Sequence, residues 1–300
     1  MSLKKFFAVL MLCIFTTAAF IGCGEDKKSD SEKYSIKIGV LKYTNIGEQK
    51  FSEIMGKVAE TFSLRTTPHE FVFFDNLNSM QMAFESGKID EISTYYCVAS
   101  YLESKKANVG VLKDHTMEFS DNFCLALRES DKDLYSQVND VVKKMQSDGT
   151  LAKLEREYIT DLMPGTEPGK VEFENFDDAD TIKVAVTGDL PPIDLILADG
   201  TPAGFNTAVL SEIGKRLHKN IEVVQIESAA RAAALESNRV DISFWAVVPM
   251  SDIIPADVDK PAGIILTSPY YSGKIVHMGW VVEGATPLED LGNVSGTLSK

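Results

Sequence analysis

Cysteine, tryptophan and histidine are scarce in this sequence: four, two and four residues among 300. His69, His115, His218 and His277 stand far apart, with no metal-ligand spacing and no serine or cysteine motif beside them. Neither a metal centre nor a histidine-activated nucleophile is therefore expected. Acidic residues are plentiful, but no spacing among them singles out an acid and a base. Nothing marks a nucleotide site. Positive charge is also short: the formal net charge is −14, which argues against nucleic acid and against a large anionic ligand. The expectation is a protein that is not an enzyme and carries no cofactor. Long apolar runs are missing as well, except at the N-terminus. Phe6 to Ile21 is about 16 residues, short for a helix that must cross roughly 30 Å of hydrocarbon.

That run follows Lys4 and Lys5 and closes on Gly22-Cys23, the layout of a signal peptide over residues 1–22. A small residue before a cysteine at this place resembles a lipobox, with Phe20 standing where leucine is usual. Cys23 is then the expected lipidation site and anchor to a bacterial membrane, and the body is extracytoplasmic. Residues 23–34 include Glu25-Asp26-Lys27-Lys28-Ser29-Asp30-Ser31-Glu32-Lys33, too polar to bury surface, and read as a flexible tether. With Cys13 and Cys23 assigned to the targeting segment, Cys97 and Cys124 remain. In an oxidising compartment they could pair, but their spacing does not show that their Cα atoms come close enough for a bridge.

The body divides into two halves with similar openings. Ser35-Ile36-Lys37-Ile38-Gly39-Val40-Leu41 and Thr181-Ile182-Lys183-Val184-Ala185-Val186-Thr187 both read as buried strands. Later in each half, at nearly the same offset, comes a helix end, a turn and a strand: Ala83 to Asp90, and Ala234 to Asp241. Gly87 and Asn238 sit where the helix must turn, since both residues tolerate a left-handed backbone. Two α/β units around mainly parallel sheets are expected. Residues 164–180, opening on Pro164-Gly165 and running into an acidic stretch, read as the linker. Residues 133–158 read as a helix, a turn at Ser147-Asp148-Gly149-Thr150 and a second helix.

Thr181 to Val282 resembles the first lobe of family 3 solute-binding proteins, which serve polar amino-acid transporters. The matching features come in order: Pro191-Pro192, Asp199-Gly200, Gly204-Phe205, Leu235-Glu236-Ser237 before Asp241, then Thr267-Ser268-Pro269-Tyr270-Tyr271. Ile36 to about Tyr158 resembles the family's second lobe followed by its C-terminal helices, with Leu125 to Asp131 and Asp148-Gly149-Thr150-Leu151 the best-matched pieces. The order of the parts is inverted relative to the family, and Leu288-Glu289-Asp290-Leu291 resembles the crossing into lobe two. A circular permutation accounts for both ends; a fragment of a tandem protein is the alternative. The resemblance implies a periplasmic-binding-protein-like type II α/β fold, two lobes with a hinge and a central cleft. Residues 35–163 would then be lobe two plus the closing helices of lobe one, and 181–300 the main part of lobe one and the hinge.

By residue-wise matching, the resemblance puts Asp189, Pro191, Pro192 and Ile193 on the first loop of the cleft, and Trp245, Ala246 and Val247 on the segment whose backbone meets the ligand. Tyr43, Tyr95, Tyr270 and Tyr271 are candidate aromatic walls. Thr44 and Asn45 start a helix whose amides face the cleft or are simply capped. Arg231 either reaches the cleft or is a solvated helix-face charge. Three family features are missing. Met250-Ser251-Asp252-Ile253 has no carboxylate-gripping arginine, Tyr95 stands near the usual ammonium-binding acid, and Thr207-Ala208 replaces the acid on the lobe-one helix. An ordinary zwitterionic amino acid would leave its charges unpaired in such a pocket. The expected function is a lipid-anchored protein delivering a small solute, an amino acid or related compound, to an ABC permease. A sensor lipoprotein is the alternative, and a cyclohexadienyl dehydratase-like enzyme a more distant one.

Overall fold

The apolar runs that open the two halves become the first strands of two similar units. The computed structural model describes residues 35–42, 47–61, 69–112, 119–247 and 260–281. The signal segment, Cys23, the tether, Tyr43, Thr44, Asn45, Met250–Ile253 and Leu288–Leu291 lie outside these residues. The first half runs β1 (Ile36–Leu41), α1 (Glu48–Thr61), β2 (His69–Phe74), α2 (Leu77–Glu85), β3 (Glu91–Tyr95), α3 (Tyr96–Lys105), β4 (Val109–Val111) and β5 (Phe119–Arg128), then α4 (Lys132–Ser147) and α5 (Thr150–Glu155). The second runs β6 (Thr181–Val186), β7 (Asp189–Leu190), β8 (Asp194–Ile196), β9 (Pro202–Ala203), α6 (Phe205–Leu217), β10 (Asn220–Gln225), α7 (Arg231–Glu236), β11 (Ile242–Val247), β12 (Ile264–Leu266) and β13 (Tyr271–Trp280).

The same local chemistry builds both units. At the end of α2, Gly87 has φ +70° and the Lys88 amide donates to the Ala83 carbonyl at 2.9 Å. At the end of α7, Asn238 has φ +56° and the Arg239 amide donates to Ala234 at 2.9 Å. Each turn then delivers an aspartate onto the opening strand. Asp90 accepts from the Lys37 amide at 2.8 Å, and Asp241 accepts from the Lys183 amide at 2.9 Å. A left-handed residue stops the helix, and a carboxylate fixes the register of the next strand.

β2, β1 and β3 pair in parallel, as do β10, β6 and β11. The two triplets are not separate sheets, because β5 and β13 run antiparallel between them in one sheet of order β10-β6-β11-β5-β13-β3-β1-β2. β13 pairs with β5 over Tyr271–Ile275 and with β3 over Ile275–Met278. β5 in turn pairs with β11 from Asn122 to Leu127. Each long strand thus begins beside the other and ends against the half it did not come from. The sheet is mixed rather than mainly parallel, since these crossings reverse strand direction at its centre. It is a mixed α/β fold.

The core is continuous across the crossing, from Leu77, Met80, Phe84 and Ile92 to Leu125, Leu127, Val184, Phe205 and Leu210, all buried. α4 and α5, although encoded in the first half, pack against α6 of the second. Arg216 clamps that contact, donating to Asp148 Oδ2 at 2.8 Å and Thr150 Oγ1 at 2.7 Å. Arg128, at the end of β5, ties the strand down. It donates to the Leu235 and Val240 carbonyls at 2.9 and 2.6 Å and pairs with Asp131 and Asp241 at 2.6 and 3.0 Å. Arg128→Ala leaves two carbonyls and two carboxylates without their donor. It is expected to cost about 3 kcal/mol, read as a lower urea midpoint at unchanged slope.

The segment expected to be a linker has partners along its length. Glu167 Oε1 pairs with Lys105 at 2.8 Å and its Oε2 accepts from the Tyr101 hydroxyl at 2.7 Å. Val171 is buried, and the Phe176 amide donates to Asn220 Oδ1 at 2.8 Å. Composition marked a break between units; the partners that pin it come from remote elements.

Candidate functional site

The loop between β6 and β8 is built around one buried carboxylate. Asp194 accepts from the Thr187 amide at 3.0 Å, the Thr187 hydroxyl at 3.1 Å and the Gly188 amide at 3.2 Å. Its pKa is raised all the same, because burial outweighs those bonds. The α6 N-terminus closes the loop from the other side. The Phe205 amide donates to the Pro192 carbonyl at 3.0 Å and the Asn206 amide to Ile193 at 2.8 Å. The amides most suited to an anion at α6 are therefore engaged by the loop itself.

Asp189 reaches from this loop into the first half. Its Oδ2 accepts from the Leu77 amide at 2.7 Å, at the start of α2. Burial raises its pKa, while the α2 amides and the charge of Arg231 oppose that. α2 is also capped by Asn76, whose side chain accepts from the Ser79 amide at 2.8 Å. Beside this contact lies a cavity of about 320 Å³. Asn78, Gln81, Tyr101 and Lys105 line it from the first half, and Asp189, Pro191 and Ile196 from the second.

A second cluster occupies the strand crossing. The rings of Tyr95 and Phe123 meet at 4.8 Å, Phe123 and Tyr271 at 5.3 Å, and Tyr271 and Phe205 at 5.3 Å. In their midst Asp121, 2 % exposed, accepts the Tyr95 hydroxyl at 2.9 Å through Oδ2. Its Oδ1 is buried and has no hydrogen-bond partner. Burial pushes the carboxyl up to about 6, against the pull of the Tyr95 bond.

The sequence-derived residues fall into these settings unevenly. Tyr95 belongs to the ring cluster, and Asp189 lines the cavity and caps α2. Ala246 and Val247 are half-buried at the end of β11, opposite Phe123 and Asn122. Ile193 is fully buried, and Trp245, 2 % exposed, packs in a small core cluster with Ala126, Ala185, Ile226 and Leu235. Tyr270 is buried with its hydroxyl donating to Asn206 Oδ1 at 2.8 Å. Arg231 is not a solvated surface charge: it is half-buried and donates to the Phe244 carbonyl at 2.7 Å and to Ser228 Oγ at 3.1 Å. Cys97 and Cys124 are buried thiols with no disulfide between them, and burial takes Cys97 up to about 11.

Asp121 is the residue that sequence reasoning missed. Strand alternation puts positions 119, 121 and 123 on one face, so an aspartate there stands between two phenylalanines. That break in an otherwise apolar face was the available signal.

Residues 182–250 match the family model for bacterial extracellular solute-binding proteins, family 3. The match spans β6 to the end of β11 and supports a ligand-binding protein of the solute-binding kind. No curated protein sequence matches the chain. Among solved structures it is similar to the ligand-binding component of an ABC-type import system from Staphylococcus aureus, a structure with zinc bound. There the identity is 14 % and the TM-score 0.43, with 82 % of this chain and 66 % of that one covered. It is similar also to the GluR0 ligand-binding core from Nostoc punctiforme in complex with L-glutamate, at 10 % identity and TM-score 0.37, covering 85 % and 87 %. A third is the periplasmic aliphatic sulphonate binding protein SsuA from Escherichia coli, at 13 % identity and TM-score 0.39, covering 82 % and 65 %. The chain thus spans about two thirds of the length of the staphylococcal and Escherichia coli proteins. Among the described residues no group of three histidine, cysteine or carboxylate side chains is arranged to hold a metal ion. No helix among them is long and apolar enough to cross a membrane.

Proposed function

We propose that this chain is a lipid-anchored extracytoplasmic solute-binding protein that delivers a small solute, an amino acid or related compound, to an ABC permease. The observation that carries the reading is the family match over residues 182–250. It falls on the half whose loop supplies Asp189 and Pro191 to the cavity. The two strands that pass between the halves are the natural hinge, and closure on a ligand would exclude water from the space they border. Cys23 is the anchor in this reading. Tyr95, Asp189, Ala246 and Val247 are its ligand-facing residues, together with Tyr43 and Thr44. Ile193, Trp245 and Tyr270, all buried, complete the set in this reading.

The inverted order is, in the same reading, a circular permutation, with residues 35–163 as lobe two plus the closing helices of lobe one and 181–300 as the rest. The packing of α4 and α5 on α6 supports it. Residues 164–180 then bridge what were once the ends.

The test is thermal melting of the full chain in detergent against amino acids, amines, short peptides and aromatic acids. A ligand at a hundred times its Kd stabilises by about 2.7 kcal/mol, roughly 5 °C or more for a protein of this size. One compound class is expected to give that shift, and none doing so contradicts the reading. In fractionated cells the wild type is expected with membranes and Cys23→Ala in the soluble fraction.

A further inference from the structure

The cavity between the halves is lined from α2 by two side chains that the fold does not use. Asn78 and Gln81 stand three residues apart, on one face of that helix. Neither carboxamide has a hydrogen-bond partner among the described residues. Each offers a carbonyl oxygen and an NH2 group, acceptor and donor side by side. Gln81 is half-buried, so its idle groups are also partly withdrawn from water.

The charges at the same cavity are spent inside the chain. Lys105 donates to the Gly165 carbonyl and to Glu167 Oε1, both at 2.8 Å. Asp189 accepts from the Leu77 amide at 2.7 Å, and the positive charge of Arg231 acts on it as well. A ligand carboxylate brought to Lys105 would be repelled by Glu167, and a ligand ammonium brought to Asp189 by Arg231. A charged solute therefore gains little here against the hydration it gives up. The other walls are apolar, from Leu102, Pro191, Leu195 and Ile196. The volume, about 320 Å³, is what roughly ten waters fill in the liquid, room for a small organic molecule. Tyr95, Ala246 and Val247 are not among its lining residues, so α2 and α3 supply contacts that the family resemblance does not.

We propose that this cavity takes a small uncharged amide, a cyclic dipeptide or end-blocked amino acid, whose N–H and C=O groups pair with Asn78 and Gln81. This rests on the solute-binding reading and narrows its ligand from amino acids and their relatives to those without a charge.

Titration calorimetry on the full chain in detergent tests it. The cyclic dipeptide of alanine and N-acetylalaninamide are the uncharged probes, and linear alanylalanine is the zwitterionic counterpart. At least one uncharged probe is expected to bind roughly tenfold or more tighter than the linear peptide. Asn78→Ala combined with Gln81→Ala is expected to weaken that probe roughly tenfold or more, its hydrogen bonds having gone. Both side chains are idle in the fold and alanine favours a helix, so the double variant is expected to keep its structure, read as an unchanged circular dichroism spectrum. Should it unfold, the comparison of probes on the wild type decides alone. Equal binding of linear and uncharged probes, or uncharged-probe binding that survives the double substitution, overturns the proposal. So does a charged solute that binds while neither uncharged probe does, though solute binding itself then stands. Absence of binding by every class overturns both.

Discussion

Asp121→Asn is expected to make the protein more stable, by about 2 kcal/mol at pH 7.5, because it removes a buried charge supported by the Tyr95 hydroxyl at one oxygen alone. Burial holds the Asp121 carboxyl near 6 in the folded chain, against 3.8 for an unperturbed aspartate. The folded state therefore binds this proton more tightly than the unfolded state, and stability falls as pH rises from about 4 to about 6. Above that window the ionised, half-bonded carboxylate imposes its full penalty; below it the penalty is absent. Asparagine keeps an acceptor for the Tyr95 hydroxyl and carries no charge. Wild type and variant should then differ by roughly 5 °C in Tm at pH 7.5 and converge near pH 4. A difference that is constant with pH would place the effect in packing instead.

Gly204→Ala is expected to be among the most damaging single substitutions in the described chain, at about 3 kcal/mol or more. Gly204 has φ +94° and ψ 179°, a region closed to L side chains. A Cβ there would lie 2.6 Å from the Pro192 carbonyl oxygen and 3.0 Å from that of Ile193. Neither oxygen is free to retreat, since they accept the Phe205 and Asn206 amides that start α6. The loop that carries Asp189 would shift with them. Gly87→Ala is the comparison: its φ is +70°, but nothing lies within 4 Å of the added carbon. That change should cost only about 1 kcal/mol of backbone strain. Urea midpoints for the two variants decide it, and equal losses would mean the contact with Pro192 and Ile193 carries no weight.

These effects show where sequence reading stops. The opening strands and the left-handed turns at Gly87 and Asn238 were legible, because each depends on local backbone chemistry. The helix, turn and helix over 133–158 were too, and appear as α4 and α5 with Gly149 at φ +81° between them. The crossing of β5 and β13 was not, since antiparallel pairing between strands some 150 residues apart leaves no local trace. Arg231 was left between two readings because a small-residue helix gives no clue to what its one long side chain meets. Asp121 was passed over for a similar reason: an acid in a strand looks solvated until the rings around it are known.

The most direct test of solute binding between the halves is backbone hydrogen exchange on the full chain, with and without a solute found by thermal melting. Binding is expected to slow exchange in three places at once: the start of α2 at Leu77 and Asn78, the 187–196 loop, and the crossing around Asn122 and Ser272. Slowing confined to one half, or to surfaces remote from these three, would contradict capture of the solute between them.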